Sequence, residues 1–367
     1  MKQGISMSFN FFSKSRALLL IAATLTLMMT CAPALALPQG NAVTDPKAIL
    51  RNSLPIVNPE IRKLQTSIED ISQQIRANRR WGAIGADLTR AETVIRDKRS
   101  QVLATVPDSF KPQGNEILDA IQADIDMLRV DVAAKNKDDI LMHRSALLSR
   151  VTTLEESMLG DFPYEVPEEY KDRPQLKGRA QIEFATDKGV VTAVLDGYSA
   201  PVTGGNFVDL IQRGFYDGLP FTRAEDFYVL QTGDPDGPDE GFIDPKTKAY
   251  RSVPLEILAQ GDKVPTYGVT LEDAGRYLDQ PVLPFSAYGA LAMARPNEEA
   301  NGGSSQFFFF LFEPELTPAG LNLLDGRYSI FGYVTGGQEV LHEIKAGDKI
   351  NSVKVVTGLD KFKKGAA

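Results

Sequence analysis

The chain is 367 residues long, 43% hydrophobic and 24% charged, with a net charge of −8. That balance excludes a disordered or low-complexity chain and leaves room for two domains of ordinary size. The acidity argues against a nucleic-acid partner, and the single cysteine, Cys31, excludes a disulfide framework.

In chain order, residues 1–36 read as a secretory signal peptide. Lys2, Lys14 and Arg16 come without an acid, an apolar run starts at Ala17, and APALA follows with Ala34 and Ala36 at cleavage positions. The run is short for a membrane span. Cleavage after Ala36 removes Cys31 and three cations, which lowers the net charge by three units, to −11. No further membrane-length apolar run follows, so the expectation is an exported chain without a transmembrane anchor.

Residues 37–160 read as a four-helix-type bundle. The first long helix opens with Asn58 as N-cap, Pro59 in the first turn and Glu60 beside it. Ile61, Leu64, Ile68, Ile71 and Ile75 then recur at three- and four-residue spacing. GADLTRAETVIRDKRSQVLATV continues the pattern up to Pro107. A third stripe runs through Ile117, Ile121, Ile125, Leu128 and Val132, and a fourth through Ile140, Leu147, Val151, Leu154 and Met158. One apolar stripe per helix and short connections point to antiparallel packing.

Residues 161–177 include DFPYEVPEEYKDRPQL, with Pro163, Pro167 and Pro174 and no periodicity. They read as a semi-rigid linker or a strap lying on a neighbour. From Gly178 to Ala367 the texture is β. A hairpin turns at Asp187-Lys188-Gly189, a helix covers VTGGNFVDLIQRG, and YGALAMAR, SQFFFFLF, YSIFGYV and INSVKVVTG are further strands. A helix is expected in GGQEVLHEIKAG. Many short strands and two helices suggest a closed antiparallel β-barrel capped by helices. In FFFF, Phe307 and Phe309 must face one side of their strand, and Phe308 and Phe310 the other.

The chemistry is restricted. His143 and His342 are the only histidines and lie far apart, no metal-ligand spacing occurs, and GGNF and NGGSS lack the Gly-Lys-Ser/Thr of a P-loop. No metal, cofactor or nucleophile chemistry is expected. What remains is Arg223 in an aromatic setting, LPFTRAEDFYVLQTGDPDG.

That segment resembles the cyclophilin family of peptidyl-prolyl isomerases. FTRAEDFYVLQTGDP is similar to the family's Phe-His-Arg … Phe-Met-x-Gln-Gly-Gly-Asp. LAMARPNEEANGGSSQFFFFL is similar to Met-Ala-Asn … Asn-x-Ser-Gln-Phe-Phe-Ile, and LLDGRYSIFGYV to Trp-Leu-Asp-Gly-x-His-x-Val-Phe-Gly. The resemblance implies Arg223 as the catalytic donor. It implies a proline-ring pocket of Tyr228, Val229, Phe308 and Leu323, with Phe221, Leu324 and Tyr328 also among the substrate-binding residues. Gln231 and Gln306 would hold the substrate backbone or orient Arg223, and Ala294 and Arg295 would form the rim. Departures are Leu323 at the tryptophan position, Tyr328 at the histidine and Arg295 at the asparagine. Glu225 and Asp226 also stand beside Arg223, where a carboxylate could divert its donors.

The order of leader, acidic helical part, proline-rich linker and divergent cyclophilin part resembles the large thylakoid-lumen cyclophilins. It implies proline-containing protein clients, photosystem II subunits among them, and a lumenal location with the periplasm as the alternative. A catalytically weak chaperone or scaffold that binds a partner through the bundle is the competing expectation. A third is a regulatory arrangement in which the bundle or the linker covers the pocket, with the linker's own prolines occupying it as one form.

Overall fold

The computed structural model describes residues 43–77, 80–312 and 322–365. The expected signal peptide lies outside the described residues.

The helical layer comprises α1 (Pro46–Ser53), α2 (Pro59–Arg76), α3 (Trp81–Asp97), α4 (Arg99–Leu103), α5 (Lys111–Ala134) and α6 (Lys137–Ser157). The long helices pack in a ring: α2 against α3 and α6, α5 against α3 and α6. Their shared core takes up the apolar stripes, with Ile61, Leu64, Ile68, Ile121, Ile125, Val151 and Leu154 all buried. The third helix differs slightly. Leu118 is buried there, while Ile117 and Val132 pack from its margin. Asn58 caps α2 by accepting from the Glu60 and Ile61 amides, each at 3.2 Å. Its own amide donates to the Val102 and Gln101 carbonyls at 2.9 and 3.1 Å, tying off the end of α4. Among the described residues no helix is long and apolar enough to cross a membrane.

The β part holds β1 (Gln175–Leu176), β2 (Arg179–Thr186), β3 (Gly189–Asp196), β4 (Arg223–Glu225), β5 (Val229–Thr232), β6 (Glu256–Ile257), β7 (Thr266–Tyr267), β8 (Ala290–Met293), β9 (Phe307–Phe310), β10 (Ile330–Gly336), β11 (Ile350–Thr357) and β12 (Phe362–Lys363). Two helices accompany them, α7 (Pro201–Gln212) and the single turn α8 (Gln338–Leu341). Eight strands form one antiparallel sheet in the order β11-β2-β3-β10-β8-β9-β5-β4. The sheet curls until its edges meet. The amides of Gly218 and Phe221 donate to Ile350 and Asp348 at 2.7 and 2.8 Å, and those of Ile350 and Gly347 donate back to Leu219 and Phe221 at 2.9 Å.

The enclosed face is filled by Phe184, Phe307, Phe309 and Phe331, with Phe207 of α7 plugging one end, 4.9 Å edge-on from Phe307. The start of α7 is set by Glu256, whose buried carboxylate accepts from the Val202 amide at 3.0 Å and from the Thr203 amide and hydroxyl at 2.7 Å. Gly205 lets the linker lie on this helix, because a Cβ there would sit 2.3 Å from Gln175 Cα.

The outer face carries Phe308, Phe310 and Tyr333, and Phe285 from outside the sheet, with Ile49 and Leu50 of α1, completes this second core. A polar latch holds the same helix. Arg179 donates to Ser53 Oγ at 2.9 Å and to the Leu50 carbonyl, and pairs with Glu156 at 3.2 Å and Asp196 at 3.4 Å. Ser53 Oγ in turn donates to Asp196 at 2.7 Å. The linker is strapped to the β part as well. Tyr164 donates to the Tyr198 carbonyl at 2.9 Å, Tyr170 stacks on Tyr267 at 5.5 Å, and β1 pairs with β12.

Glu155 of α6 is buried in the helical layer, 3.3 Å from Arg62, with Oε2 unpartnered. Desolvation pushes its carboxyl up to about 7, against the pull of Arg62. The native state therefore binds a proton that the unfolded chain has released between about pH 4.5 and 7, and stability falls as pH rises through that window. Urea unfolding from pH 5 to pH 8 should show this decline, and Glu155→Gln should remove about 2 kcal/mol of it. An unchanged slope in the variant would contradict the assignment.

Candidate functional site

The site follows from strand register. Arg223 lies opposite Gln231, Gln231 opposite Phe308, and Phe308 opposite Ala292. Directly opposed residues share a sheet face, so a cation, an amide and an aromatic ring stand in one row on the outer face. The next row is Glu225, Val229, Phe310 and Ala290. Glu225 is therefore on the same face as Arg223, two residues along.

A cleft of about 490 Å³ opens over these rows. It brings together Arg223, Tyr228, Val229, Gln231, Ala294, Arg295, Gln306, Phe308, Leu324 and Tyr328, ten residues the sequence places in the site. Its aromatic floor is Phe308, stacked on Phe285 at 6.0 Å and meeting the edge of Tyr328 at 5.6 Å. Gln231 donates to Gln306 Oε1 at 2.7 Å, and Gln306 donates to Asp234 Oδ1 and the Glu240 carbonyl, each at 3.0 Å. Both amides are thus fixed.

Two expected residues lie elsewhere. Leu323 is 90% exposed and does not line the cleft. The turn that follows is pinned by Asp325, which accepts from the Asn322 and Phe285 amides at 3.1 and 2.7 Å, and it turns Leu324 inward instead. Phe221 is buried in the enclosed core, 6.4 Å from Phe309. Its backbone joins the two sheet edges, which holds its ring inside.

Sequence reasoning missed Glu240, Tyr250, Pro296, Asn297 and Ser304, which also line the cleft. Glu240 and Tyr250 come from the long excursion after Asp234, where no motif marks them. No linker proline lines the cleft, and no described residue of the helical layer does. Pro174 faces a separate groove, so self-occupancy by the linker is overturned.

Arg223 donates from Nε to Glu225 Oε1 at 2.7 Å, and its guanidinium stands 5.6 Å from the Tyr228 ring centre. The hydrogen bond to Glu225 raises the arginine pKa and lowers that of the carboxylate. The carboxylate occupies Nε only. Among the described residues nothing accepts from the two Nη groups, which stay available to a ligand. No group of three His, Cys, Asp or Glu side chains among the described residues is placed to hold a metal ion. What the arrangement can do is grip a small apolar ring beside a permanent hydrogen-bond donor.

Residues 181–360 match the family model "Cyclophilin type peptidyl-prolyl cis-trans isomerase/CLD". Residues 45–159 match "Peptidyl-prolyl cis-trans isomerase CYP38-like, PsbQ-like domain". The putative thylakoid lumen peptidyl-prolyl cis-trans isomerase of Synechocystis is 56% identical over 330 residues, covering 90% of this chain and 87% of the relative. The chloroplastic isomerase CYP38 of Arabidopsis thaliana is 45% identical, covering 88% of this chain and 76% of the relative. A solved Cryptosporidium parvum cyclophilin is 22% identical, covers 48% of this chain and 99% of its own, and has a TM-score of 0.37. The chain belongs to the cyclophilin-type peptidyl-prolyl cis-trans isomerases. Within them it is of the CYP38-like kind, with a PsbQ-like helical part ahead of the isomerase part.

The Arg223–Glu225 pair is exposed on both sides, and such pairs add little to stability. Glu225→Gln should therefore leave the urea unfolding midpoint where it is in the parent while moving the Arg223 Nε–H NMR resonance. A large drop in the midpoint would show that the pair holds up the hairpin.

Proposed function

We propose that the chain isomerises Xaa-Pro bonds of exported client proteins in the thylakoid lumen, with Arg223 as the catalytic donor. Photosystem II subunits under assembly or repair are the clients that fit this location. The row Arg223–Gln231–Phe308 carries the reading, since it sets a donor beside a ring-sized apolar wall. The leader pattern and the lumenal and chloroplastic names of the relatives support the location.

The chemistry needs no acid, base or cofactor. An Xaa-Pro bond prefers trans by only about 0.5–1 kcal/mol, and a barrier of about 20 kcal/mol from amide resonance separates the isomers. At the twisted transition state the prolyl nitrogen regains its lone pair and accepts a hydrogen bond far better than in either planar form. A donor aimed there lowers the barrier without favouring either isomer. Arg223 supplies that donor from an Nη group. Phe308, Val229, Tyr228 and Leu324 hold the proline ring. Gln231, Gln306 and the Ala294 backbone bind the flanking peptide.

The competing reading is a weakly catalytic scaffold. It draws on the Glu225 bond at Arg223 and on Leu323, which leaves the cleft without a large ring at that wall. Exchange NMR on a short Xaa-Pro peptide separates the two. The isomerase reading expects catalysis by the protein and a loss of roughly a hundredfold in Arg223→Ala, the smaller end for a single preorganised donor. Peptide binding without catalysis, unchanged by the substitution, would favour the scaffold.

A further inference from the structure

The cleft contains two arginines whose charges are balanced differently. Arg223 sits 2.7 Å from the Glu225 carboxylate. Arg295 has no such partner: among the described residues no carboxylate lies within ion-pair distance of it, and neutral acceptors hold it. Its Nε and Nη2 donate to the Arg327 carbonyl at 3.1 and 2.8 Å. Its Nη1 donates to the Pro296 and Asn297 carbonyls at 2.9 and 3.1 Å. Four of the five N–H groups of a guanidinium are so engaged, and one on Nη2 remains open. The Tyr328 ring lies 5.2 Å away, and Tyr328 in turn meets Phe308 at 5.6 Å. A fixed positive charge therefore stands one ring away from the proposed proline wall. Of the acidic groups at the cleft, Glu225 is taken up by Arg223, Glu240 lines the wall, and Asp234 accepts from the Gln306 amide at 3.0 Å.

We propose that Arg295 is a specificity-determining residue that selects clients with an aspartate or glutamate side chain flanking the proline. The proposal rests on the cleft being the prolyl site. The guanidinium is already ordered by its carbonyl partners, so little side-chain freedom is lost when a carboxylate arrives. Its open N–H gives the carboxylate a charge-assisted hydrogen bond. A lysine in the same place would meet repulsion, so discrimination comes from both signs.

The test compares three peptides, with Glu, Ala or Lys beside the proline, each placed before it and after it, by exchange NMR with the protein. At low salt, Glu on one side of the proline should raise kcat/KM roughly fivefold over Ala, the upper range for a solvent-accessible ion pair, and Lys should lower it. The Glu-to-Lys ratio should shrink in 1 M salt, where screening falls to about 3 Å. Arg295→Gln, which keeps donors but no charge, should bring the ratio to one, and Arg295→Lys should restore part of it. A purely structural Arg295 would shift the unfolding midpoint and leave the ratio alone. Equal rates for Glu and Lys peptides, or a Glu preference that survives Arg295→Gln, would overturn the proposal. If the Ala peptide is not isomerised, the isomerase reading fails on its own, and NMR titration of the same peptides decides the charge preference by affinity.

Discussion

Strand β9 is buried on both faces, and much of the architecture answers that constraint. Phe307 and Phe309 need one apolar partner layer, and Phe308 and Phe310 need another. The curled sheet supplies the first by closing on itself around Phe184, Phe207 and Phe331. The second has to come from outside the sheet. Phe285 of the long excursion and Ile49 and Leu50 of α1 provide it. Burying a large side chain stabilises by about 1.5–3 kcal/mol, so a bare outer face would be costly. The helical layer is thus joined to the sheet by hydrophobic necessity, with the Arg179–Ser53–Asp196 latch fixing orientation. A buried charge network of this kind costs much desolvation and is better viewed as specifying the docked arrangement than as stabilising it.

The covering is incomplete, and the site is the gap. Over Phe308 the outer layer opens into the cleft, so an aromatic ring needed for packing also floors an open cleft. Antiparallel register then places Gln231 and Arg223 beside it without further design. The two glutamines are locked by each other and by Asp234, so the polar wall is ordered before a ligand arrives.

The apolar stripes of α2 and α6 were legible because a repeat of about 3.6 residues marks one helix face. The two faces of FFFF were legible because strand side chains alternate. The docking of α1 was not. Eight residues are too few for a periodic signal, and only Asp45 and Pro46 mark its start. That Leu324 lines the cleft and Leu323 does not turns on one residue of register in a tight turn, which motif matching does not resolve. Phe221 was misplaced because the motif gives its neighbourhood in sequence, while edge-to-edge bonding decides where its ring goes. Glu240 and Tyr250 reach the cleft through long-range packing of an irregular segment, which no local pattern encodes.

The central claim is that a proline ring sits on Phe308 with an Arg223 Nη group directed at the prolyl nitrogen. A crystal structure of the protein with a short Xaa-Pro peptide tests it most directly. The account requires the ring against Phe308 and Val229, the flanking backbone at Gln231 and Gln306, and an Nη group within hydrogen-bond reach of the prolyl nitrogen, Nε still on Glu225. A peptide bound with its proline away from Phe308, or with both Nη groups turned from the prolyl bond, would contradict it.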